Sequence, residues 1–191
     1  MNKRRILLIA IVVLITIPLI VSPAMAKATR TDWVEQNNTC SYECPEGEDA
    51  CNWIADGKIL QGRGFVAIKY VERIDLDTKE IIPGWGGPVT VYDNYTINLE
   101  TGDGSAWGTF VREYDEKEGI VVGSYGGPIR EGRFIGKFVA KGSGGEFEGQ
   151  IIKGVVTKVP LDELPIQPPF CYSDDEFGEV NYGYTLDPQG D

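Results

Sequence analysis

Four cysteines, a set of tyrosines and several closely spaced acids are the residues of this chain whose types and spacing could do chemistry. Cys40, Cys44 and Cys51 crowd together, and Cys171 stands far downstream. Their spacing makes no paired C-x2-C knuckles, so a zinc site is not expected of them. Disulfide pairing is. If all four pair within the chain, Cys171 joins one of the other three and the remaining two close a short local loop; three connectivities stay open. In the chain-entropy account a bridge over that distance contributes about 4–5 kcal/mol, an upper figure. The chain has no histidine. Ser-His-Asp and Cys-His chemistry and histidine-ligated zinc are therefore excluded.

The other candidates each have an ordinary reading beside the chemical one. Tyr70, Tyr92, Tyr95 and Tyr114 would be proton donors if they faced a cavity, although tyrosines of small barrels mostly pack or sit at rims. Glu146 and Glu148 lie on one face of an expected strand, as paired acid/base carboxylates would. Gln150 extends that face while Phe147, Gly149 and Ile151 point the other way, which makes it a solvent-facing row. Asp75, Asp77 and Glu80 alternate like calcium ligands, but the run lacks the glycine and the final acid of a calcium loop, so a solvated turn is expected. No catalytic residue, metal ligand or cofactor is assigned. Asn37-Asn38-Thr39 and Asn94-Tyr95-Thr96 are glycosylation sequons, with Asn37 and Asn94 as the acceptors in a host that modifies exported chains.

The elements that would position these residues start after a leader. Met1–Arg5 is basic, Ile6–Val21 is apolar, and Ala24-Met25-Ala26 is a small-residue cleavage site. This predicts a signal peptide over 1–26, cleaved after Ala26, and a secreted or cell-surface protein; an uncleaved anchor is the alternative. No other run is long and apolar enough for a membrane helix. The oxidising compartment that export implies is where cysteines pair. The net charge of −11 becomes more acidic still without Lys3, Arg4 and Arg5, which argues against nucleic acid as a partner.

Residues 27–57 read as a polar, irregular, cysteine-bearing extension. Residues 160–191, with Pro160, Pro165, Pro168, Pro169 and Pro188, read as an acidic tail tied back through Cys171. Between them, 58–159 alternates in period two and is broken by local turns. Strands are expected over 57–75, 89–99, 105–114, 120–125, 130–141 and 146–159. Glycines 108, 136, 149 and 154 fall inside these strands, where they mark strongly curved sheet. Phe134, Gly136, Phe138 and Ala140 alternate large and small on one face, as do Ala106, Gly108 and Phe110. A tapering barrel interior needs that alternation. The fold class is therefore all-β, a single antiparallel barrel of about eight strands with irregular disulfide-stapled extensions; a β-sandwich is the alternative. Phe110, Phe134, Phe138, Phe147 and Ile151 are the expected cavity face.

The run 104–110, Gly126-Gly127, the run 132–138 and the stretch from Gly142 through Gly154 resemble the strand rhythm of the allene oxide cyclase-like and dirigent-like barrels. The resemblance spans about 58–159. It implies an eight-stranded barrel whose apolar cavity binds or shapes a hydrophobic ligand, and it transfers no functional residue. Three functions follow as expectations. The first is a non-enzymatic exported module that holds a small apolar ligand. The second is a cofactor-free isomerase or cyclase, and the third a structural or adhesive surface protein.

Overall fold

Runs in which β-branched and aromatic residues alternate with small or polar ones favour extended backbone, and the described part of the chain is built almost wholly of strands. The computed structural model describes residues 28–43, 54–160 and 177–188. They form β1 (Thr29–Glu43), β2 (Ile54–Asp56), β3 (Ile59–Ile74), β4 (Gly87–Asn98), β5 (Gly104–Arg112), β6 (Ile120–Arg130), β7 (Arg133–Ser143), β8 (Ile151–Pro160) and β9 (Phe177–Asp187). A single 3-10 turn, Gly145–Phe147, precedes β8.

The strands follow one another around a single sheet in the order β1-β9-β8-β7-β6-β5-β4-β3, and β1 pairs back onto β3. That last pairing closes an antiparallel barrel of eight strands, which a sandwich would not do. The three-residue β2 adds only a short edge to the start of β3. The expected all-β class, a single antiparallel barrel of about eight strands, is the observed one.

The boundaries expected from the sequence are corrected. β1 lies in the supposedly irregular extension, and β9 lies in the supposed tail. Both are full staves of the barrel, so the barrel is not confined to 58–159. The physical reason is an inverted pattern. On β1, Trp33, Glu35 and Asn37 line the interior, and on β9 Glu179 and Asn181 do. The alternate residues Val34 and Val180 are buried in a separate cluster with Val159. With polar residues inside, neither segment reads as half of an apolar core.

Two further expectations change. The stretch 120–130 is one strand running through Gly126-Gly127-Pro128 and does not end at Tyr125; the turn is at Glu131-Gly132. Residues 146–150 are not strand. Gly145 has φ 52, and a Cβ there would lie 2.0 Å from the Glu118 carbonyl oxygen, so only glycine fits and the chain bends into the 3-10 turn. The Glu146, Glu148 and Gln150 row therefore does not exist as a strand face. Glu146 pairs instead with Lys117 at 2.7 Å, and Glu148 accepts the Gly144 N–H at 2.6 Å. Gly149 belongs to this loop and not to a strand interior.

The inward glycines make room for neighbouring rings. A Cβ on Gly154 would meet the Phe138 ring at 2.4 Å, one on Gly183 the Trp33 ring at 2.4 Å, and one on Gly136 the Phe134 ring at 2.2 Å. Large and small residues thus interlock between strands as well as along them.

Candidate functional site

One end of the barrel is plugged. Phe147, carried inward by the 3-10 turn, is fully buried and stacks on Tyr114 with ring centres 4.5 Å apart. Trp85, from the β3–β4 connection, meets both rings edge-on. Burying Phe147 contributes about 1.5–3 kcal/mol on the area scale. Val121, Ala140 and Ile152 complete this core.

Beyond the plug the barrel is hollow. A cavity of about 450 Å³ runs along the interior as far as Gly132 in the turn at the opposite end. Its apolar wall comes from β4 to β8 and includes Val91, Phe110, Phe134, Phe138, Ile152 and Val156. Its polar wall comes mainly from β1, β3 and β9, with Glu35, Asn37, Lys69, Glu179 and Asn181.

Of the expected cavity residues, Phe110, Phe134 and Phe138 line it. Phe147 closes its end instead of lining it. Ile151 does not contribute: it is 41% exposed, while Ile152 is 5% exposed and lines the wall. The 3-10 turn shifts the phase of alternation, and every side chain of β8 changes face.

The polar wall is a chain of paired groups. Next to the plug, Glu35 accepts hydrogen bonds from Arg73 at 3.3 Å and Arg112 at 3.5 Å, all three being buried. Arg112 also donates through Nη2 to the Trp85 and Val71 carbonyls at 2.9 and 3.4 Å. The Arg73 guanidinium lies 3.8 Å over the Trp85 ring and Arg112 lies 4.5 Å over Tyr114, which partly offsets lost hydration. Burial pushes the Arg73 pKa down, against the pull of Glu35, and pushes the Tyr114 phenol up. Farther along, Lys69 holds both Glu179 oxygens at 2.7 and 2.9 Å, and the Asn37 amide donates to the same carboxylate. On β4, Asp93 accepts the Tyr125 hydroxyl at 2.6 Å. Burial raises the Asp93 pKa, and the Tyr125 hydrogen bond and Lys69 hold it back.

Among the tyrosines singled out by type, Tyr95 and Tyr114 line the cavity. Tyr70 bonds Asp115, which with burial pushes its pKa up to about 12, and Tyr92 is exposed. Asn37 is 1% exposed and committed to Glu179, so it is not a glycan acceptor in the folded barrel. Asn94 is half-buried, with its oxygen accepting the Gly64 N–H at 3.2 Å. Asp75 spends its carboxylate on the Asp77 and Thr78 N–H groups at 2.8 and 3.0 Å, a local turn. Cys40 falls in β1 opposite Lys69, and Cys44, Cys51 and Cys171 lie outside the described residues.

Sequence reasoning missed Glu35, Asp93, Arg112, Tyr125 and Glu179 as cavity groups. One signal was present. Lys69 shares a face with Phe65, Ala67 and Val71, and Arg112 continues the face of Ala106, Gly108 and Phe110. A charge on an otherwise apolar strand face requires an internal partner.

No protein-family model matches the chain, and no curated protein matches it.

Proposed function

We propose that this protein is an exported, disulfide-stapled barrel that binds one small, largely apolar molecule in its interior. The observation that carries the reading is the cavity of about 450 Å³, bounded by aromatic rings with a few polar groups converging on it. That size and lining are typical of sites for small organic ligands. Export rests on the basic, apolar and small-residue order of residues 1–26. The staple rests on the cysteine arithmetic, and the strand ends support it. β1 stops at Glu43 and β2 starts at Ile54; β8 stops at Pro160 and β9 starts at Phe177. By register all four ends lie toward the barrel end away from the plug.

The test is native mass spectrometry of protein purified from its own host, with intact mass before and after reduction. A retained small molecule and an absence of alkylatable thiols before reduction are expected. Protein that retains nothing and fails to bind the uncharged dye Nile red would overturn the binding reading; four free thiols would overturn the staple.

A second reading is a cofactor-free isomerase or cyclase acting in the same cavity. The Asp93–Tyr125 pair favours it, because a carboxyl raised by burial and bonded to a phenol can pass a proton without a metal or histidine.

A further inference from the structure

The cavity holds hydrogen-bonding capacity that its own walls leave unmet. Among the described residues, the buried side-chain atoms without a protein partner are Arg112 Nε and Nη1, Arg73 Nε, Asn37 Oδ1 and Asn181 Oδ1. Arg112, Asn37 and Asn181 all line the cavity, and Arg73 shares the Glu35 carboxylate with Arg112. Unpaired groups of this kind are rare in a folded interior because each costs about 1–3 kcal/mol. Here four of the five belong to residues that line the one cavity, and the fifth, Arg73 Nε, belongs to the guanidinium that shares Glu35 with Arg112.

The charges make the missing group specific. Two guanidiniums share one carboxylate through long contacts of 3.3 and 3.5 Å. Arg112 is 3% exposed, so bulk solvent screens its charge only weakly. Farther along the wall Lys69 and Glu179 balance each other. Asp93 and Lys158 add one charge of each sign to that wall, and the two-to-one excess of cations is local to the Glu35–Arg73–Arg112 cluster at the plugged end, from which the apolar wall of Phe110, Phe138, Ile152 and Val156 extends.

We infer that the ligand is an amphipathic carboxylate, its anionic head on Arg112 at the plugged end and its apolar body along the β5–β8 wall. One negative charge matches the excess of the Glu35–Arg73–Arg112 cluster. A phosphate dianion would overshoot it and crowd Glu35. The inference rests on the cavity-binding reading above and deepens it.

Isothermal titration of the purified, delipidated full chain with dodecanoate, methyl dodecanoate and 1-dodecanol tests it. Dodecanoate is expected to bind at least about tenfold tighter than either neutral analogue, the scale of one charge-assisted hydrogen bond. Arg112→Met is expected to bring the acid-to-ester affinity ratio to about one, with circular dichroism confirming the fold. The acid-to-ester ratio on the unaltered protein stands even if that variant fails to fold. Equal affinity for all three probes overturns the anionic head and leaves the cavity reading in place. Binding of Nile red but of none of the three overturns the fatty carboxylate in the same way. Failure of all four removes the cavity reading itself.

Discussion

Asp93 faces the cavity with its carboxylate on the Tyr125 hydroxyl, and burial raises its pKa above the ordinary 3.8. The folded state therefore holds that proton more tightly than the unfolded chain does. Stability contributed by this group is full below the unfolded value and is lost as the pH rises through the raised one. Asp93→Asn preserves an acceptor for Tyr125 and removes the buried charge. Thermal melts should show it more stable than the parent at pH 7, with the difference vanishing below about pH 3.8. A melting temperature unchanged at pH 7 would contradict the burial argument. The same variant separates the two functional readings. If the barrel only binds, Asp93→Asn leaves the co-purified molecule unconverted, as the parent does; if it catalyses, binding survives and turnover stops. None of this was visible from residue type. An acid in sequence carries no sign of which side of a sheet it will face.

At the scale of elements, β8 shows how a local bend rewrites a face. Phe147 and Ile151 are four residues apart and would share a side if 146–159 were one strand. The 3-10 turn at Gly145–Phe147 intervenes, so Phe147 plugs the barrel and Ile151 faces outward. Ile152→Ala should therefore cost about 2–5 kcal/mol in denaturant unfolding, the range for truncating a buried aliphatic side chain. Ile151→Ala should change stability by under about 1 kcal/mol, as exposed positions do. The reverse order would place the strand in the phase that simple alternation implies. The long strand β3, the hairpins at 99–103 and 113–119, and the interlocking face of β5 and β7 were legible, because each is local and written in period two. β1 and β9 were not legible. Their inward residues include Glu35, Asn37, Glu179 and Asn181, and the two carboxylates find their cations, Arg73, Arg112 and Lys69, only on other strands.

The whole molecule depends on closure between distant segments. β9 bridges β8 and β1, joining the last strand of the chain to the first. Truncation after Glu176 retains all four cysteines but removes this stave, leaving the edges of β8 and β1 unpaired. Such a chain should lose cooperative unfolding and aggregate, since open apolar edges template association. Retention of a single sharp transition would show that the other strands suffice. The closure also makes the cavity, because a hollow of this size requires all eight staves to hold its walls apart. The sequence by itself determined the strand-rich fold class, the inward glycine and aromatic alternation of the central strands, the exclusion of histidine chemistry, and the expectation of export and pairing cysteines. These follow from composition and short-range periodicity. The tertiary structure alone decided that the terminal segments are staves, that Ile152 and not Ile151 faces in, and that Glu35, Arg73 and Arg112 meet at the plugged end. Those are contacts between residues far apart in the chain, and local alternation carries no information about which distant charge will share the interior.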